Sequence, residues 1–254
     1  MKIGEFGDLV RLTQDVGLKT SIWWRDDDVF DDTNELNTLL HFSEKHDVAA
    51  HLSVIPNKLT NNAIHLIKSR TNITVLQHGY AHVNHAKNGA PLNEFGLDRD
   101  IEVMLDEIRH GYKKLTEVFD SQFLPIFVPP WHHVALPVIE CLHEIGFIGI
   151  SLIGENIMAY PNLKNMNVQI DVHSWKTESE TSYDVRMKSY EAIMENLIKL
   201  VSSEKSKLNG HVNIGVLTHS QIMSKKDWNM FSKLILSMKD AGISIIDKKS
   251  FINH

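Results

Sequence analysis

Residues 21–32 read SIWWRDDDVFDD. An apolar strand over residues 21–24 runs into three consecutive aspartates, Asp26, Asp27 and Asp28. Adjacent carboxylates raise each other's pKa unless a cation or a proton sits between them. The stretch therefore reads either as a solvated turn with helix caps or as a metal site with a carboxylate base beside it. Working outward, short apolar runs recur at 48–55, 73–76, 124–128, 147–152, 168–170, 212–217 and 243–246. Helical spacing fills the intervals, as in Ile101, Met104, Leu105, Ile108, Tyr112 and Leu115, or Trp228, Phe231, Ile235 and Met238. Asp32 with Glu35 three residues on predicts the cap of the first helix. Strands alternating with helices predict a parallel sheet with helices outside. About eight strands in this length favour an α/β barrel over an open sheet. Residues 87–98 read as an inserted loop, and the chain, 1–254, as a single domain.

Composition narrows the function. Of 254 residues, 43% are hydrophobic and 23% charged, the balance of a globular rather than a disordered chain. The net charge of -6 gives no basic footprint for nucleic acid. Cys141, the one cysteine, excludes an internal disulfide and a Cys-only zinc site. With no apolar leader and no long uncharged apolar stretch, the expectation is a cytoplasmic protein without a membrane partner. Histidine, normally among the rarer residues, occurs 15 times.

Chemistry in parallel α/β folds collects at the C-terminal ends of the strands. After the third run come His78 and His82, four apart, a spacing that turns two imidazoles to one side. After the fourth come Pro129, Pro130, Trp131, His132 and His133. The sixth gives Asp171, His173 and Trp175, and the seventh ends in His219. Each alone has an ordinary reading, such as a core histidine or a rigid proline turn. Five strands delivering Asp, His or Trp at one predicted end is a joint pattern that points to a site. His85, His132, His133 and His173 fall in loops around that mouth.

In order, these segments resemble the polysaccharide deacetylase family (NodB-homology domain, carbohydrate esterase family 4). The matching motifs are Asp27-Asp28, His78-Gly79-Tyr80-Ala81-His82, Val128-Pro129-Pro130-Trp131, Asp171 to Trp175, and Leu217-Thr218-His219. Together they span roughly residues 20 to 220. The resemblance implies a distorted (β/α) barrel of about seven to eight parallel strands. It implies one divalent metal on Asp28, His78 and His82, zinc first, with cobalt, manganese or nickel fitting the same donors. It makes Asp27 the general base, His219 the general acid, and Asp171 the group that orients or tunes His219. Trp131, Trp175, Pro130 and His132 become the substrate contacts.

Three residues depart from the family pattern. The first motif usually ends Asp-Asp-Gly, so Asp26 as base with Asp27 as ligand stays open beside Asp27 with Asp28. Val128 stands where an arginine usually pairs with the base, leaving Arg25 or nothing to supply that charge. Ser174 replaces a frequent aspartate.

The chemistry is coherent without the family name. Three protein ligands leave a metal one open position, the mark of a catalytic site. A free carboxylate takes a proton from water, and a histidine gives one to a departing amine. The implied activity is removal of an N- or O-acetyl group from a sugar or oligosaccharide. The alternatives are an amidohydrolase on a non-sugar amide and an inactive carbohydrate-binding relative.

Overall fold

Strand β1 (Lys19–Val29) runs past the apolar residues and through all three aspartates. In the computed structural model the described residues are 19–87, 89–154, 160, 162–177, 183–204, 211–240 and 242–247. The N-terminal residues on which the expectation about a leader rests lie outside them. From β1 the chain runs through helix α1 (Asn34–His46), β2 (Ala50–Val54), α2 (Asn61–Lys68), β3 (Ile73–His78), α3 (Ile101–Phe119), β4 (Phe123–Val128), α4 (Leu136–Ile145) and β5 (Gly149–Ile150). Then follow β6 (Lys164–Asn165), β7 (Ile170–Asp171), β8 (His173–Thr177), β9 (Tyr183–Met187), α5 (Tyr190–Glu204), β10 (His211–Thr218), α6 (Lys225–Asp240) and β11 (Ser244–Ile245).

The main sheet has the order β6-β5-β4-β3-β2-β1-β10-β7, with β11 also against β1. Each of these pairs is parallel. Residues 164–171 join its two edges. They pair with β5 through Lys164 and Asn165 and with β10 through Ile170 and Asp171. Between those points Val168 N–H donates to Leu152 O at 3.0 Å and Gln169 N–H to Gly215 O at 3.0 Å. Gly215 permits the approach, since a Cβ there would stand 2.7 Å from Val168 Cα. The result is the distorted (β/α) barrel expected.

Strand alternation sorts the side chains. Trp23, Leu76, Leu124, Ile126, Val128, Val168 and Leu217 form one apolar cluster, fed by alternate residues of β4 and by Trp23 of β1. Ile22 and Trp24, on the other face of β1, pack with Leu39, Phe42, Trp228 and Phe231 of the helices. A third cluster joins α3 and α4 to Phe95, Phe127 and Phe147.

Two expectations are corrected. Thr33, not Asp32, caps α1: its side chain accepts from Leu36 N–H at 3.1 Å. Asp32 instead accepts from the Asn62 amide at 3.1 Å. The segment from Asp171 to Trp175, expected at the end of the sixth strand, is also not a simple strand end. It leaves the barrel after Asp171, and β8 pairs antiparallel with β9 as a separate ribbon.

Candidate metal centre

The three aspartates have three environments, and β1 assigns two of them by alternation. Arg25 and Asp27 share one face, so the Arg25 guanidinium donates from Nη2 to Asp27 Oδ2 at 2.9 Å. The same guanidinium holds Ser151 Oγ at 2.6 Å through Nη1. Arg25 therefore supplies the charge missing at Val128. Burial pushes the Asp27 carboxyl up, but Arg25, with His78, His219 and His132, outweighs it and leaves the pKa at about 2. Asp27 Oδ1 is buried with no hydrogen-bond partner among the described residues.

Asp26 faces the other way. It accepts from Thr218 Oγ1 at 2.5 Å, Ser220 N–H at 2.8 Å and Ser220 Oγ at 2.7 Å. Burial lifts its carboxyl to about 8 despite these bonds. Asp26 is thus neither beside the histidines nor reliably ionised. That favours Asp27 and Asp28 as the chemically active pair.

Asp28 escapes the alternation because its φ is 67°. Its Oδ1 lies 3.2 Å from His78 Nε2 and 3.1 Å from His82 Nε2. Burial opposes ionisation of Asp28, but the hydrogen bonds of His78 and His82 hold its pKa well below the usual carboxylate range. Burial likewise depresses His78, and its bond to Asp28 and the charges of Asp27 and Asp28 overcome that and leave it raised. Each residue of the trio offers one donor atom within 4.8 Å of the others. Three donors about 2.0–2.1 Å from one tetrahedral ion stand about 3.3 Å apart, close to the distances seen. His78 Nδ1 is tied to Val128 O at 2.9 Å, which turns Nε2 to the centre. The donor set fits a divalent transition metal.

The turn bearing His82 is not helical. Gly79, at φ 51°, could carry no side chain: a Cβ would stand 2.1 Å from Glu94 Oε2 and 2.7 Å from Pro130. Glu94 accepts from three successive backbone N–H groups, Tyr80 at 3.2 Å, Ala81 at 2.6 Å and His82 at 3.0 Å. It comes from the segment read as an inserted loop and was missed from sequence, because a carboxylate that binds backbone leaves no side-chain motif. Of the seven non-glycine residues with positive φ among the described ones, Asp28, His82, Trp131 and His132 lie at this mouth. Such residues cost about 1–3 kcal/mol each and gather where geometry is imposed for function.

The other candidates take definite places. The Trp131 ring packs on His82, with centroids 4.3 Å apart. Pro130 is buried against Gly79 and lies under the turn, so the expected contact with substrate is replaced by support of the turn. His132 Nδ1 stands 3.5 Å from Arg25 Nη2, and burial followed by that charge pushes the imidazole down to about 3. His132 also lines a cavity of about 380 Å³ with Leu97, His133, Leu152 and Tyr160. His85 and His133 are exposed.

Across the mouth, Trp175 sets its ring edge-on to His219 with centroids 4.8 Å apart. Its Nε1 donates to Asp171 Oδ2 at 2.6 Å, and Asp171 Oδ1 accepts from His173 N–H at 2.8 Å. Asp171 makes no hydrogen bond to His219, which corrects the expectation that it orients that ring. Nor is His219 tuned upward. Burial lowers it, against the pull of Asp27, Asp28 and Asp171.

No family model matches the sequence, and no curated protein matches it closely enough to count as a relative. Solved structures do match. A Mycobacterium smegmatis protein assigned to the polysaccharide deacetylases superposes with a TM-score of 0.64 at 13% identity, covering 94% of this chain and 90% of that one. A carbohydrate esterase of family 4 from Streptococcus mutans gives 0.55 at 13%, covering 94% and 89%. A family 4 acetyl xylan esterase from Clostridium thermocellum, solved with a cobalt ion, gives 0.51 at 13%, covering 90% and 87%. No helix among the described residues is long and apolar enough to cross a membrane. The chain therefore has the fold shared by polysaccharide deacetylases and family 4 carbohydrate esterases.

Proposed function

We propose that this protein is a metal-dependent hydrolase that removes an acetyl group from the nitrogen, or the oxygen, of a sugar or oligosaccharide. The observation that carries this reading is the division between neighbouring carboxylates. Asp28 is committed to His78 and His82, while Asp27 is ionised by Arg25 and keeps Oδ1 unengaged. Asp28, His78 and His82 would hold one divalent metal, zinc first, with cobalt, manganese or nickel matching the same donors. When bound, that ion lowers the pKa of a water and polarises the acyl carbonyl. Asp27 Oδ1 receives the proton of the attacking water. His219 stands within the field of Asp27 and Asp28 and gives a proton to the departing amine. Burial lowers its pKa, and the charges of Asp27, Asp28 and Asp171 pull it back toward the protonated form that the step uses. Trp175, 42% exposed, offers an apolar face for a sugar ring, and Trp131 and His132 border the opposite side. The solved structures with this fold, by name a polysaccharide deacetylase, an acetyl xylan esterase and a family 4 esterase, support the substrate class.

The test is metal content by elemental analysis together with acetate release from N-acetylated and O-acetylated sugars. A stoichiometric metal and acetate release are expected. His219→Ala should keep the metal and lose about 10²- to 10⁴-fold in kcat. Turnover of a cyclic imide or formamide without any acetate release overturns the sugar reading. Metal binding without turnover of either class overturns the enzyme.

A further inference from the structure

At the ends of β7 and β10 stands a second donor trio of the same composition. Asp171, His173 and His219 each offer a donor atom within 4.8 Å of the others. His173 is 3% exposed, and neither of its ring nitrogens has a hydrogen-bond partner among the described residues. His219 Nδ1 is buried and equally unpartnered. Each bare buried polar group costs about 1–3 kcal/mol, so three such nitrogens in one place call for a ligand. Asp171 Oδ1 and His173 Nδ1 are 3.6 Å apart. That is long for a hydrogen bond and near the edge of about 3.3 Å between two donors on a tetrahedral ion.

The backbone holds the trio in place. Asp171 pairs with Leu217 across β7 and β10, Val172 N–H donates to Leu217 O at 3.0 Å, and Lys188 Nζ holds the Asp171 carbonyl at 2.8 Å. Trp175 occupies Asp171 Oδ2, which leaves Oδ1 turned to His173.

We propose that Asp171, His173 and His219 bind a second divalent cation, distinct from the one assigned to Asp28, His78 and His82. Two imidazoles and one carboxylate suit zinc, copper, nickel or cobalt rather than calcium or magnesium. The site takes up a lone pair of His219, so cation beyond the first equivalent inhibits hydrolysis. This consequence rests on the function proposed above, whereas the binding rests on the donor set alone.

The experiment titrates the metal-stripped full chain with Zn²⁺ alone, reading bound metal by equilibrium dialysis. The wild type should bind two equivalents. His173→Gln should bind one, with a melting curve that reports an intact fold. Asp28→Ala should also bind one, and this variant leaves the second trio untouched should His173→Gln fold poorly. A single equivalent in the wild type, none in Asp28→Ala, or two in a folded His173→Gln overturns the site. Acetate release supplies the other arm. The second equivalent should slow the wild type by about 10²-fold and spare His173→Gln. Two equivalents bound with no acetate release at any zinc level upholds the site and rejects the proposed function.

Discussion

The two walls of the barrel mouth carry the same residue types and hold them differently. On the β1 and β3 wall the donors are braced from behind. His78 is tied to Val128 O, Glu94 holds the His82 turn, and the Gln221 side-chain amide donates to the Asp28 carbonyl. On the β7, β8 and β10 wall, neither ring nitrogen of His173 nor Nδ1 of His219 has a hydrogen-bond partner among the described residues, and the Asp171 carboxylate is engaged by Trp175. On the proposed reading the first wall, with its donors fixed and converging in advance, is the tight site. The second keeps its groups less committed, which suits the proton-carrying role proposed for His219 and leaves the trio available to the proposed second cation.

The sharpest way to break this comparison is to remove one carboxylate from each wall. Asp28→Ala should empty the first site and bring hydrolysis to background. Asp171→Ala should leave that site's metal in place. Zinc affinity of both proteins, measured in competition with a chelator, decides it: Asp171→Ala should hold its one equivalent tightly and Asp28→Ala, bound only at the second wall, weakly. Equal affinity would mean that the first wall is not the tight site.

Arg25→Met tests the charge beneath the first wall. Arg25 is 0% exposed, and its loss leaves Asp27 as a buried unpaired charge, at a cost of about 3–5 kcal/mol. Asp27 has a depressed pKa, about 2 against 3.8. Its pairing therefore stabilises the fold above about pH 4 and ceases to do so as pH falls through about 2. The stability gap between wild type and variant should be widest near neutrality and narrow in acid. The acid limb of the activity profile should also move to higher pH as Asp27 becomes easier to protonate. Denaturant melts and pH–rate curves that match the wild type would remove Arg25 from this role.

A smaller effect is expected from Glu94. Groups that orient metal ligands contribute about 10- to 100-fold in affinity. Glu94→Ala should weaken metal by that amount in competition with a chelator. Glu94→Gln, which still presents an acceptor to the backbone, should recover part of it. An Ala variant with unchanged affinity would make the turn self-sufficient.

These residues also mark what was legible in the sequence. The aspartate run, the His78–His82 pair and His219 stood out because each follows an apolar strand, and side chains at strand ends leave a local pattern. Glu94 left none, since its partners are backbone amides twelve to fourteen positions away. The break after Asp171 was hidden because the apolar and polar alternation that begins at Val168 runs on through His173, past the point where the pairing partner switches from β10 to β9. Arg25 was visible as a charge, but its pairing with Asp27 follows only once β1 is known to extend through the aspartates, placing residues 25 and 27 on one face.

The smallest effect is expected at Asp26. An acid whose pKa rises on folding, here from 3.8 to about 8, loses stability as pH climbs between those values and is level beyond them. Asp26→Asn copies the neutral acid. Its amide oxygen takes the bonds from Thr218 Oγ1 and Ser220 N–H, and its NH₂ group donates to Ser220 Oγ, whose hydroxyl turns to accept. Every partner stays satisfied, so metal content and turnover should stay within about threefold of wild type, a difference below 1 kcal/mol. The melting temperature of the variant should fall less steeply than that of the wild type between pH 5 and 8, because the ionising group is gone. Loss of metal in Asp26→Asn would instead shift the register by one, making Asp26 and Asp27 the working pair and Asp28 the bystander.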